Sequence, residues 1–133
     1  MSIIDGMNAT GMAMVAQSHR LNTISSNIAN MESVASSPEE SFKAKLVNFK
    51  TVNVGGAQSV VVTQLLQSKA PAQPIFSPSH PLADEHGYVY GSNVNREEMV
   101  ADMMSTESSY QLNSQLSVAL KNLGLSTLQT INK

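Results

Sequence analysis

The residues best suited to metal chemistry lie between positions 80 and 86. This stretch contains His80, Asp84, Glu85 and His86, and zinc binds imidazole and carboxylate groups in proteins. Their spacing follows no helical face, however, and no second cluster supplies further ligands. The pattern favours a solvated turn over a metal site, and we expect neither a metal nor any other cofactor.

Nucleophilic catalysis has even less support. A hydrolase needs a nucleophile beside a base and an orienting group. The chain has many serines but no cysteine, no G-x-S-x-G element and no glycine-rich phosphate loop. His19 lies beside Arg20 on a polar face, which favours a solvated imidazole. We therefore expect a protein that is not an enzyme and has no small-molecule substrate.

The charge of the chain disfavours nucleic acid and anionic lipid as partners. The formal net charge of the 133-residue chain is −2, and only 14% of its residues are charged. No basic stripe is available to bind nucleic acid or anionic lipid.

No run reaches the ~20 apolar residues of a membrane span, and the N-terminus lacks the pattern of a cleaved signal peptide. The sequence predicts a cytosolic protein, unless it is exported by a route that needs no such signal.

Composition divides the chain into three parts. All five prolines lie between Pro38 and Pro81, and every aromatic residue except Tyr110 lies between Phe42 and Tyr90. The flanks are rich in Met, Leu, Ala, Ser and Asn, which favours helices, whereas the middle is rich in Val, Pro, aromatic residues and Gly. The predicted class is α+β, with a small β-hairpin and extended insert between two long helices.

We expect the two terminal helices to pair as an antiparallel, coiled-coil-like unit. On this interpretation residues 1–31 and 94–133 form one helical assembly domain, and residues 32–93 form the insert. The flexible methionines of the flanks would fill the helix seams.

Ser2 followed by Asp5 gives a capping pattern for the N-terminal helix, which is predicted to run to about Ile28 or Met31. Its only charged side chains are Asp5 and Arg20. A helix that is polar without being charged can be buried against several neighbours, because hydrogen-bonded amides and hydroxyls cost less to bury than charges. The helical spacing places residues in two adjacent heptad rows: Met7, Met14, Leu21 and Ile28 in one, and Ile4, Gly11, Ser18 and Ser25 in the other. Gly11 would let a neighbouring backbone come close.

The first half of the insert predicts a β-hairpin. Phe42 to Val54 and Ser59 to Leu66 both have strand patterns, and Gly55-Gly56 lies between them as a turn. The preceding segment, Glu32 to Ser41, is predicted to be a loop with one turn.

The second half of the insert is rich in proline. Prolines at positions 71, 74, 78 and 81 lack an amide hydrogen, so we expect Ser68 to Pro81 to avoid regular ladders and form an extended strap. A turn at Glu85 to Gly87 should then lead into a short strand at Tyr88 to Tyr90.

The C-terminal helix has the clearest start in the sequence. Asn95 is placed to cap it, Glu98 follows three residues later, and Val94 can pack on Met99 as a hydrophobic staple. Gly124 is expected to fray the last turns. A broad apolar stripe follows the cap and could face both the first helix and another subunit: Val100, Met103, Met104, Leu112, Leu116, Ala119, Leu120 and Leu123.

A resemblance accompanies these patterns. Gln17 with Arg20-Leu21, followed by Ser26 to Asn30, resembles the N-terminal signature shared by the rod, hook and hook-associated proteins of the bacterial flagellum. Later segments resemble the FlgC-type rod proteins of the flagellar proximal rod: Phe42 to Lys45, Pro81 to Asp84 with Gly87 to Val89, Asn93 to Asn95, Glu98 to Val100, and Ser109 to Gln111 with Asn113. The resemblance covers about Met7 to Leu128.

The resemblance implies a structural subunit of the basal-body rod, the drive shaft that transmits torque from the motor to the distal rod and hook. Its implied partners are other copies of itself, neighbouring rod subunits, the adaptor between the membrane ring and the rod, and the flagellar type III export apparatus. The implied location is the rod in the periplasm, reached without a cleaved signal peptide. A soluble helical adaptor or secretion chaperone is the alternative, because the same methionines could line a binding groove.

The predicted assembly residues come from both terminal helices. On the first helix Asn27 and Asn30 are expected to bond backbone groups at a helix end or a subunit contact. The full set is Met7, Gly11, Met14, Leu21, Ser26, Asn27, Ile28, Ala29, Asn30, Val100, Met103, Met104, Tyr110, Leu112, Leu116, Ala119, Leu120 and Leu123.

Overall fold

Residues 2–133 form two long helices and five strands, so the predicted α+β class is confirmed. The structure is a computed structural model that describes residues 2–133. In chain order the elements are α1 (Ile3–Asn30), β1 (Val34–Ala35), β2 (Lys45–Val54), β3 (Ala57–Gln67), β4 (Gln73–Phe76), β5 (Tyr88–Gly91) and α2 (Arg96–Ile131).

Both helices begin at the predicted caps. The Ser2 amide donates to Asp5 Oδ2 at 2.9 Å and the Asp5 amide donates to Ser2 Oγ at 3.1 Å, which forms a reciprocal capping box. The bond from the Ser2 backbone is the main reason that the pKa of Asp5 is lowered, and hydrogen bonding of the carboxylate to the Ser2 side chain lowers it further. At α2 the Glu98 amide donates to Asn95 Oδ1 at 3.1 Å. The helix continues through Gly124 to Ile131, so the predicted fraying at that glycine does not interrupt it.

The hairpin forms around the predicted Gly-Gly turn. Strands β2 and β3 pair as a two-stranded sheet, and Gly55 and Gly56 have φ angles of +58° and +92°. Two consecutive positive φ angles are what a tight type I′ turn requires, and glycine adopts them without steric cost. The first strand starts at Lys45 rather than at the predicted Phe42, whereas the second is slightly longer than predicted.

The proline-rich segment was predicted to avoid ladders, and this was wrong for residues 73–76. Strand β4 pairs antiparallel with β5, with Pro74 opposite Tyr90. The sheet order is β1-β5-β4, so β4 has only one neighbour, and proline is tolerated on such an edge. Strand β1, which pairs with β5 through Val34 and Ala35, was missed because two residues carry no periodicity.

The chain divides into two compact units, one formed by residues 1–21, 47–64 and 104–133 and the other by residues 22–46 and 65–103. In the first unit, small side chains allow a close approach of β3 to α1. Ala9, Ala57 and Ser59 are buried there, and Ser59 Oγ donates to the Ala9 carbonyl at 2.6 Å.

The second unit contains a small hydrophobic core. Four residues are buried in it: Ile24, Ala44, Val94 and Met99. Ile28, Met31, Phe42 and Met103 pack against them with partial exposure. The predicted staple residues Val94 and Met99 thus lie in one cluster, where the first turn of α2 packs with Ile24 of α1 and with Ala44.

Asp84 organises the turn before β5. Its Oδ1 accepts from the His86 and Tyr88 amides, both at 2.9 Å, and its Oδ2 accepts from the Tyr90 hydroxyl at 3.0 Å. The backbone bond from Tyr88 is the main reason that the pKa of Asp84 is lowered. The hydrogen bond that the Tyr90 hydroxyl donates to Asp84 is the main reason that the pKa of Tyr90 is raised. The carboxylate therefore acts as a structural acceptor.

Replacing Asp84 with alanine should remove part of the acid sensitivity of this unit. Because the folded pKa lies below the value of about 3.9 in an unfolded chain, the ionised carboxylate stabilises the fold fully above that value, and the contribution is lost as the pH falls through the folded pKa. Urea unfolding between pH 3 and pH 7 should show a weaker pH dependence for Asp84→Ala than for the wild type. Glu85→Ala, at the exposed neighbouring position, is the control. Identical pH profiles for wild type and Asp84→Ala would contradict this role.

Candidate assembly site

Asn27 forms a clamp on the backbone at the start of β2. Its Nδ2 donates to the Lys45 carbonyl at 2.9 Å, and the Lys45 amide donates to Asn27 Oδ1 at 2.8 Å. The side chain is only 1% exposed, and Nδ2 also lies 3.5 Å from Met99 Sδ. The amide thus satisfies both backbone groups of Lys45, as a neighbouring strand would.

Asn93 bonds the backbone amide of the adjacent residue and a carbonyl further along the chain. The Ala44 amide donates to Asn93 Oδ1 at 2.6 Å, and Asn93 Nδ2 donates to the Ala70 carbonyl at 2.8 Å. The backbone amide of Asn93 donates to the Phe42 carbonyl at 3.3 Å. Two asparagines from distant parts of the sequence therefore bond the consecutive residues Ala44 and Lys45, where β2 begins.

The structure separates the two asparagines that were predicted to act alike. Asn27 bonds a backbone group 18 residues away, whereas Asn30 Nδ2 donates to the Ser26 carbonyl within its own helix, at 2.8 Å. Sequence reasoning did not include Asn93 among the assembly residues. Its position between β5 and the cap of α2 was visible, but no local pattern indicates that its partner would be Ala44.

The predicted residues of α1 lie in mixed surroundings. Six are half-buried, namely Met7, Met14, Leu21, Ser26, Ile28 and Asn30, while Gly11 and Ala29 are exposed. A Cβ added at Gly11 would meet nothing within 4 Å. Within one chain, therefore, the close approach expected at Gly11 is not made.

Most predicted residues of α2 face away from the chain. Met103 and Leu120 are half-buried, but the others are exposed: Val100, Met104, Tyr110, Leu112, Leu116, Ala119 and Leu123. From Met104 to Ile131 the helix carries only two charged side chains, Glu107 and Lys121. A helix with apolar residues on several faces and so few charges is typical of one that is buried among other helices.

The titratable cluster around position 84 has a local role. His80 Nδ1 accepts from the Leu82 amide at 3.1 Å, and Asp84 supports its own turn. Across residues 2–133 no group of three or more histidine, cysteine or acidic side chains is placed to hold a metal. In the same part of the chain no helix is both long and apolar enough to cross a membrane. The arrangement suits packing and hydrogen bonding between protein surfaces.

Comparison with known proteins agrees with this arrangement. Residues 7–34 match the family model of flagella basal body rod proteins. The chain is 35% identical over 130 residues to the flagellar basal-body rod protein FlgC of Escherichia coli O6:H1 (strain CFT073) and to that of Salmonella typhimurium (strain LT2), covering 96% of this chain and 97% of each relative. It is 36% identical, with the same coverage, to FlgC of Yersinia enterocolitica.

These relatives match the chain over nearly its full length, and the matched family model includes the clamp residue Asn27. The family is one of structural proteins of the flagellum. The chain belongs to the FlgC family of flagellar basal-body rod proteins and is a structural subunit of the rod.

Proposed function

We propose that this subunit polymerises in the proximal rod through its terminal helices and so transmits torque from the motor to the distal rod and hook. The observation that carries the proposal is the surface of α2, where Met104, Leu112, Leu116 and Leu123 are each at least half exposed. A protein that remained monomeric would rarely keep such a surface in contact with water.

Antiparallel pairing of the terminal helices is part of the same proposal. In the first unit a Cβ at Gly6 would lie 3.1 Å from Leu120, and one at Gly124 would lie 3.7 Å from Ile3. In the second unit Asn27 contacts Met99. These contacts support the proposal: in the first unit early residues of α1 lie near late residues of α2, and in the second unit a late residue of α1 lies near an early residue of α2. Residues 1–31 with 94–133 would then form the assembly domain, and residues 32–93 the insert.

Replacing Gly6 with leucine should separate the helices at this contact. The added side chain would occupy the space of Leu120, and overpacking of this kind costs about 1–3 kcal/mol. Urea unfolding followed by far-UV circular dichroism should show a lower midpoint for Gly6→Leu. Asn8→Leu, an exposed position of the same helix, is the matched control. Equal midpoints for the two variants would show that α2 does not pack at Gly6.

The proposed partners are other copies, neighbouring rod subunits, the adaptor between the membrane ring and the rod, and the flagellar type III export apparatus. Export in an unfolded state fits the exposed apolar surface of α2, because such a surface would promote aggregation if the chain folded long before it assembled.

An in-frame deletion tests the function. Electron microscopy of purified basal bodies from the deletion strain should show no rod beyond the membrane ring. The full-length chain should restore rods, whereas a copy without residues 1–31 should not. Complete rods and hooks in the deletion strain would overturn the proposal and favour a soluble adaptor or secretion chaperone.

A further inference from the structure

An exposed aromatic pair lies on the sheet of the second unit. Phe76, at the end of β4, is 65% exposed, and Tyr88, opposite it in β5, is 39% exposed. Their ring centroids are 5.3 Å apart in an edge-to-face arrangement. The acidic side chains of Asp84 and Glu85 stand in the turn that leads to Tyr88. Exposed aromatic residues of this kind are frequent anchors of protein interfaces.

An apolar groove lies between the start of α1 and the end of α2 in the first unit. Its volume is about 410 Å³, which is within the range of pockets that bind small ligands. Among the described residues that line it, Lys121 is the only charged one, and the principal apolar ones are Ile3, Ile4, Met7, Leu120, Leu125 and Leu128. The groove could accept an aromatic side chain that carries a negative charge beside it.

The two units also differ in charge. Residues 1–21, 47–64 and 104–133 contain four basic and two acidic side chains, whereas residues 22–46 and 65–103 contain four basic and eight acidic ones. The groove therefore lies in the basic unit and the aromatic pair in the acidic unit. Opposite net charges on two surfaces favour their association and set its orientation.

We propose that the Phe76–Tyr88 pair of one subunit inserts into this groove of a second copy, with Glu85 facing Lys121. The occupant is a second copy because the two surfaces are complementary in both apolar character and charge and lie on the same chain. The contact joins two different surfaces, so it is heterologous and can repeat from copy to copy without closing into a pair. The inference rests on the proposed function and identifies the surfaces through which copies of the chain meet.

Cysteine crosslinking tests the contact directly, since the chain contains no cysteine. A chain with both Glu85→Cys and Lys121→Cys, expressed in the deletion strain, should give a ladder of dimers and higher multiples when purified basal bodies are oxidised. Neither single variant should form that ladder. A crosslink only within one chain, a product with a different rod protein, or no product from basal bodies that contain the variant would overturn the inference. In the last case the proposed function would still stand.

Charge reversal provides a second readout. Lys121→Glu and Glu85→Lys should each weaken the contact between copies about tenfold, the factor in Kd that corresponds to ~1.4 kcal/mol, and so reduce the number of copies per basal body. The double reversal should restore it. Lys50→Glu makes the same change at an exposed position of β2 in the same unit as Lys121, and this control should leave the number unchanged. If the double variant is no better than the single ones, Glu85 and Lys121 do not meet.

Discussion

Replacing Asn27 with alanine should lower the free energy of unfolding by about 2–4 kcal/mol and weaken rod assembly. The substitution removes both bonds to Lys45 and leaves that residue's amide and carbonyl without their partner, which costs about 1–3 kcal/mol for a buried group. It also creates a small cavity at a side chain that is 1% exposed, and such cavities add to the cost.

Asn30→Ala is the matched control, because it makes the same chemical change three residues along the same helix. Its side chain donates to the Ser26 carbonyl within α1 and is half-buried, so we expect a change within about 0.5–1 kcal/mol. Urea unfolding measures stability, and motility in soft agar measures assembly. Wild-type motility and stability for Asn27→Ala would contradict the clamp.

A larger effect on assembly is expected from Gly11→Leu. No atom of the chain lies within 4 Å of a Cβ at this position, and leucine is a better helix former than glycine by almost 1 kcal/mol. The isolated protein should therefore be no less stable than the wild type. If another subunit packs closely on Gly11, as the heptad row predicts, the leucine side chain should exclude it and abolish motility.

A graded series separates steric exclusion from a change in helix stability. Alanine and leucine both improve on the helix propensity of glycine, but only leucine adds a long side chain. Motility should decrease from glycine to alanine to leucine, and basal bodies should lose the subunit in the same order. Full motility of Gly11→Leu would show that Gly11 lies outside every subunit contact.

The sequence alone determined the features that depend on neighbouring residues. The capping box of Ser2 and Asp5, the cap at Asn95 and the turn at Gly55-Gly56 were all predicted, and all three form. Each is stabilised by bonds or backbone angles within a few residues, so the local pattern was sufficient. The long helices between these signals followed from their apolar spacing.

The partners of the two asparagines and the pairing of the short strands depend on contacts between distant parts of the chain. Asn27 bonds Lys45, and Asn93 bonds Ala44 across 49 residues. Strand β4 pairs with β5 despite Pro74, because it lies on an edge of the sheet. A side-chain amide can bond any backbone group that the fold brings near it, and strand pairing depends on non-local neighbours. The spacing of residues along the chain therefore does not predict the asparagine bonds or the strand pairing, because both depend on how the helices and strands pack.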